Sequence, residues 1–218
     1  MSKLILYHGS ENIIKQPTYH GGKETNDYGY GFYCTENIEL AREWACTNSD
    51  TEGYVNKYEL DMTGLKILDL SSKNYSILNW MAVLVKNRTF DLSSAVARAG
   101  REFLLNNYYI NVNDYDVVIG YRADDSYFKF AKDFLNNTIS VEKLSGAMEL
   151  GKLGKQIVII SKLAFDIINY LGYECVDNMV YYAKRKSRDE NAREEYNKLT
   201  SQKIFEGTFL ADIIRKEK

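Results

Sequence analysis

The chain has 218 residues, 45% of them hydrophobic and 27% charged, with a formal charge of -2 at pH 7. That is enough apolar material for a full core and excludes a disordered chain or a fibre. With a pI near 5.8 there is no global basic field, so nucleic acid or an anionic membrane would have to be met through a local patch. The longest apolar run, Trp80 to Val85, is far shorter than the roughly 20 residues that span a bilayer. No basic-apolar-small signal pattern opens the chain, and a cytoplasmic protein starting at Met1, with no membrane partner, is expected. Cys34, Cys46 and Cys175 are odd in number and never form C-x-x-C, so neither a disulfide framework nor a zinc site is indicated, and all three read as packing residues. His8 and His20 are the only histidines, which limits acid-base chemistry near neutrality.

In chain order, Lys3 to His8 alternates as a short strand that ends at Gly9-Ser10. Gln16 to Tyr30 is polar and glycine-rich, a loop over the site end. Gly31 to Cys34 is a second strand, and Thr35 is expected to cap a helix through about Cys46. Tyr54 to Leu60 and Lys66 to Leu70 read as strands, and Ile77 to Lys86 and Ser94 to Asn106 as helices by their apolar spacing. Tyr115 to Ile119 is a buried strand closed by Gly120; helices over Ser126 to Asn136 and Val141 to Leu150 follow. Gln156 to Ile160 is the most apolar strand, and Ser161 is expected to cap a helix to about Leu171. Short strands are expected over Glu174 to Val176 and Met179 to Ala183. The composition shifts at Lys184, suggesting a domain over residues 1-183 and a helical extension over 184-218, whose Phe205, Phe209, Leu210, Ile213 and Ile214 should be buried somewhere. The class is α+β, without the regular alternation or glycine fingerprint of a doubly wound nucleotide fold.

Three segments stand out together: Tyr7-His8-Gly9-Ser10, then Gly29-Tyr30-Gly31-Phe32-Tyr33 leading to a helix with Trp44, and Gln156 at the head of the apolar strand. Singly each has a plain structural explanation: a satisfied strand-end histidine, core aromatics, a polar strand start. Their order resembles the histidine-tyrosine-glutamate branch of the ADP-ribosyltransferase superfamily, which includes diphtheria-toxin-like and poly(ADP-ribose) polymerase-like enzymes. Within that superfamily the chain is most similar to a bacterial family with Y-H-G-S, G-x-G-F-Y and a Tyr-Asp-apolar-apolar-Ile-Gly strand before Ala-Asp-Asp, here Tyr115 to Gly120 and Ala123-Asp124-Asp125.

The resemblance implies a split β-sheet core with flanking helices and NAD as substrate, with no metal called for. It implies that His8 bonds a ribose hydroxyl, that the Gly9 backbone pairs with the nicotinamide carboxamide, and that Ser10 supports the ribose. Tyr33 would stack on nicotinamide and Trp44 close the other face, where flat rings suit a flat cation. Two positions depart from the pattern. Ala41 stands where polymerase-like members carry a serine, and Gln156 stands where the catalytic glutamate belongs. An amide keeps the hydrogen bond but loses the charge that offsets an oxocarbenium-like state, a weakening of about 1 to 3 kcal/mol. Asp124 and Asp125 could orient an acceptor or recover that charge, although placement in the first turn of a helix explains them as well. Lys184 to Arg188 is the one dense basic cluster; it could touch phosphates, but a solvated helix face is preferred. Asn87 and Arg88 have no assigned role.

The function implied is a mono-ADP-ribosyltransferase acting on a protein or nucleic-acid target, as a bacterial toxin or defence effector with a neutralising antitoxin partner left open. NAD hydrolysis, a catalytically weak module binding NAD, ADP-ribose or a protein, and a ribonuclease using His8 and His20 are the alternatives.

Overall fold

In a computed structural model, which describes residues 3-123, 126-152, 154-202 and 205-216, the chain folds as an α+β protein around two sheets. Strands β1 (Lys3–Ser10), β3 (Gly53–Asp61) and β7 (Asn169–Val176) form an antiparallel sheet in the order β1-β3-β7. The second sheet has the order β2-β6-β5-β4, from β2 (Phe32–Cys34), β4 (Ile67–Asp69), β5 (Val117–Tyr121) and β6 (Lys155–Ile159). Its β4 and β5 are parallel and its other pairs antiparallel. The sheets meet at one bridge, where Tyr7 N–H donates to the Thr35 carbonyl at 2.8 Å and Thr35 N–H returns the bond at 2.9 Å.

Helix α1 (Ile38–Ala45) lies against β1 and β3. Helices α2 (Ile77–Asn87), α3 (Ala95–Asn107), α4 (Ser126–Leu135) and α5 (Val141–Ala147) cover the second sheet, burying Trp80, Met81, Leu84, Phe130 and Phe134 with Val118 and Val158. On the opposite face, Val117, Ile157 and Ile159 pack with Leu6, Phe32, Tyr58 and Leu60. Both faces of β6 are therefore covered, which explains an uninterrupted apolar run where a half-exposed strand would alternate.

Several expectations are corrected. Thr35 is held extended by the bridge to Tyr7, and Asn37 caps α1 instead, its side chain accepting from Glu39 N–H at 3.0 Å. Gly120 lies inside β5, where an added Cβ would meet the Tyr28 hydroxyl at 2.1 Å. Helix α5 stops at Ala147. Ser161 does cap α6 (Lys162–Ile167), but the helix ends there because the following residues pair with β3. Met179 to Ala183 has the aromatic and β-branched look of a strand, yet Asp177 accepts from Val180 N–H at 3.2 Å and starts α7 (Asn178–Ser201). Local capping and helical continuation override strand propensity there. Cys34 and Cys46 are buried as packing residues, but Cys175 is exposed on β7.

The position 183/184 falls within α7, whose Ala192 and Tyr196 are buried, with Tyr196 stacked 3.8 Å from Phe130. Helix α8 (Leu210–Lys216) seats Leu210 in the notch at Gly100. Ile213 and Ile214 pack on the same core, whereas Phe205 is 92% exposed rather than buried.

Helix α1 presses closely on β1 at Gly9. A Cβ on Gly9 would fall 2.0 Å from the Ala41 carbonyl oxygen and 2.6 Å from Ala45 N. Gly9→Ala is expected to destabilise the fold by about 1 to 3 kcal/mol through overpacking, measured as a lower urea midpoint with an unchanged slope.

Candidate functional site

Residues from β1, the loop over residues 16-30, β2, α1, the end of α2, the exit of β5 and the head of β6 line one cleft of about 580 Å3. His8, Tyr33, Trp44 and Gln156, four positions singled out in the sequence, all face it. Strand register explains part of this meeting. Tyr33 pairs with Val158, and Gln156 lies two residues from Val158 on β6, so Tyr33 and Gln156 share one face of the sheet.

His8 is half-buried and stacks near Phe32, with ring centroids 4.4 Å apart. Its Nδ1 lies 2.7 Å from the Tyr33 carbonyl oxygen, a pure acceptor, so Nδ1 carries the hydrogen and Nε2 is the acceptor of the neutral ring. Burial holds its pKa below the usual imidazole value, opposed by the bond to Tyr33. Tyr33 Oη donates to the Gly29 carbonyl at 2.7 Å and accepts from Tyr28 N–H at 3.1 Å. Burial pushes this phenol well above its ordinary range, so it remains a protonated clamp on its own loop. The two glycines serve that clamp: Gly29 has φ +76°, a region costly for other residues, and Gly31 has no room for a side chain beside Val158.

The organising charge is one that no sequence motif marks. Asp27, 6% exposed, accepts from Arg88 Nη1 at 3.0 Å, from Ala123 N–H at 2.8 Å and from Gln156 Nε2 at 3.0 Å. Its carbonyl accepts from Asn87 Nδ2 at 3.2 Å, so Asn87 and Arg88 both act on Asp27. Gln156 Nε2 also donates to the Tyr121 carbonyl at 3.0 Å. Asp27 lies in a polar loop with no periodicity, and no local signal distinguishes it from the other acids.

Trp44 meets a cation within the protein, since the Arg122 guanidinium lies 4.0 Å from its ring centre. Among the described residues its buried indole Nε1 has no hydrogen-bond partner, an arrangement that costs roughly 1 to 3 kcal/mol unless another acceptor reaches it. Among the described lining residues, the guanidiniums of Arg88 and Arg122 accompany the carboxylate of Asp27.

Other sequence candidates are placed differently. Gly9 lines the cleft, but the crowding that demands glycine comes from α1. Ser10 is not among the lining residues; its Oγ donates to the Asn12 carbonyl and accepts from buried Asn56 Nδ2 at 3.3 Å, shaping the turn after β1. Ala41 is fully buried beneath Gly9, away from the lining. Asp124 and Asp125 lie outside the described residues. His20 is stacked between Tyr19 and Tyr30, at 4.0 and 4.9 Å, and is not brought to the cleft with His8. From the basic cluster, Lys184 pairs with Glu39 at 3.2 Å and Arg188 with buried Glu43 at 2.5 Å, fastening α7 to α1. Among the described residues, no group of three or more histidine, cysteine, aspartate or glutamate side chains could hold a metal ion, and no helix is long and apolar enough to cross a membrane.

Because burial lowers the His8 pKa in the folded chain, the unfolded chain takes up a proton on this ring at a higher pH than the folded chain does. The ring's contribution to stability is complete above the usual 6.5 and declines as pH falls toward the lowered folded value. An NMR titration should give a His8 midpoint below 6.5; a midpoint above it would contradict the desolvation of this ring.

Residues 4–170 match the family described as "Protein of unknown function (DUF3990)". No curated protein and no solved structure matches the chain. The matched span contains His8, Tyr33, Trp44, Asp27 and Gln156 and ends before α7. The residues lining the cleft and every strand but most of β7 fall within this span, and the chain belongs to the DUF3990 family.

Proposed function

We propose that the protein is a mono-ADP-ribosyltransferase that takes NAD as substrate and transfers ADP-ribose to a macromolecular acceptor. The observation that carries this reading is the convergence of His8, Tyr33, Trp44 and Gln156, from distant parts of the chain, on one cleft. A volume of about 580 Å3 is within the range of pockets that enclose ligands of this size. The two-sheet α+β core supports the same reading, as do the guanidiniums of Arg88 and Arg122 in the lining, which suit a ligand with a diphosphate.

In this reading the nicotinamide ring lies by Tyr33, with Trp44 and its Arg122 partner as the opposing wall. An acceptor oxygen on the ligand would satisfy the unpartnered Trp44 N–H. His8 Nε2 accepts from a ribose hydroxyl, and Gln156 orients the reacting ribose. The bond between the ribose C1′ and the nicotinamide nitrogen breaks, and nicotinamide leaves with the bonding pair as a neutral molecule. The electron-poor sugar then takes a lone pair from the acceptor, whose proton passes to solvent. Attack on an already electrophilic carbon needs no strong base, which suits a site with one histidine and a tyrosine that stays protonated. The acceptor, a protein or a nucleic acid, and any neutralising partner follow from the bacterial toxin and defence effectors that the motifs resemble.

Incubation with adenine-labelled NAD and cell lysate tests the reading. Nicotinamide release with label incorporation is expected; release without incorporation means hydrolysis, and NAD affinity without release means a binding module. Tyr33→Ala should weaken NAD affinity by about tenfold through loss of ring stacking, while Tyr33→Phe stays within about threefold. Unchanged affinity in the alanine variant, measured by calorimetry, would reject the assignment of Tyr33.

A further inference from the structure

The head of β6 carries an amide where the resembling enzymes carry a carboxylate, and the surroundings are built for the amide. Both Nε2 hydrogens of Gln156 are committed, one to Asp27 Oδ2 and one to the Tyr121 carbonyl, each at 3.0 Å. Neither acceptor can donate. A flipped carboxamide would set Oε1 against a carboxylate and a carbonyl, so the orientation is determined, and Oε1 is the atom left to accept. Tyr121 O is itself anchored by Tyr28 Oη at 2.8 Å and Trp80 Nε1 at 3.2 Å.

Asp27 is the other half of the arrangement. It is 6% exposed and lines the same cleft. A buried carboxylate loses several kcal/mol of hydration unless donors replace the water; here Arg88, Ala123 N–H and Gln156 do so. The guanidinium at 3.0 Å cancels part of its charge toward the cleft. Its first contribution to a reacting sugar is therefore orientation of the amide, with residual negative charge second.

We infer that Asp27 is a positioning residue: it holds the Gln156 carboxamide with Oε1 toward the reacting ribose and supplies, one hydrogen bond behind it, the carboxylate missing at position 156. This rests on the proposed NAD reading. It reverses the simplest expectation about Gln156→Glu. Restoring the glutamate of related enzymes would face a second carboxylate with Asp27 and with the Tyr121 carbonyl; like charges at this separation force one group to hold a proton or push the strands apart. Gln156→Glu is therefore expected to lower turnover. In the double variant Asp27→Asn/Gln156→Glu the charge repulsion is gone while the carbonyl clash remains, so part of the loss should return.

The experiment measures nicotinamide release from NAD, with kcat and KM separated, for the wild type, Asp27→Asn, Gln156→Glu and the double variant, alongside thermal unfolding of each. Asp27→Asn is expected to lower kcat by about tenfold to a hundredfold with KM within about threefold. Gln156→Glu should fall at least as far, and the double variant should exceed Gln156→Glu by about tenfold. In NMR spectra the Gln156 side-chain amide signals should move on Asp27→Asn. If that single variant does not fold, the double variant against Gln156→Glu decides. Full turnover in Asp27→Asn, or a double variant no better than Gln156→Glu, overturns the role of Asp27 and leaves the NAD reading intact. A folded wild type that neither binds NAD nor releases nicotinamide overturns the NAD reading and with it any catalytic role for Asp27, while a thermal cycle still showing coupling would leave the pair as a structural one.

Discussion

A buried carboxylate holds the cleft together. Asp27 joins the loop over residues 16-30 to the end of α2 through Asn87 and Arg88, to the exit of β5 through Ala123, and to the head of β6 through Gln156. Four separate stretches of backbone thus depend on one charge being fully surrounded. Removing a single partner from such a network typically costs about 3 to 5 kcal/mol, because the remaining charge stays buried. The same bonds that make the loop part of the fold give the cleft a defined shape.

Backbone approach supplies the rest of the geometry. Gly9 lets α1 press on β1, Gly31 lets the chain pass Val158, and Gly120 admits the phenol of Tyr28. Each belongs to a stretch that reads as a ligand motif, yet each meets protein atoms closely enough to explain glycine without any ligand. Structural and binding demands are superimposed at these positions. His8 shows this too: its ring satisfies a β2 carbonyl with one nitrogen and keeps the other as an acceptor in the cleft.

Charge is distributed with similar economy. The chain is slightly acidic, while the described lining of its cleft includes the guanidiniums of Arg88 and Arg122. The basic residues of the C-terminal part are turned inward, with Lys184 and Arg188 paired to acids on α1. Helix α7 is polar on nearly every side, and its attachment comes from these pairs together with Ala192 and Tyr196.

Much of the fold is legible in the order of residues. The alternation of β1 and β3, the spacing of apolar residues in α2 and α3, and the doubly buried run of β6 all report local periodicity, which needs no knowledge of the partner surface. Of β7 only Glu174 to Val176 was legible; its earlier residues from 169 and the start of α7 escaped because sheet pairing and an aspartate cap, respectively, outweighed local preference. His8, Tyr33, Trp44 and Gln156 could be singled out because motif order survives in a linear chain. Asp27, Arg88 and Arg122 could not, since a buried ion network depends on which side chains come within about 3 Å of one another across long loops. Residue types and periodicity settle what each segment can become; the meeting of a carboxylate with an amide 129 positions away is decided only when the folded chain removes water from both.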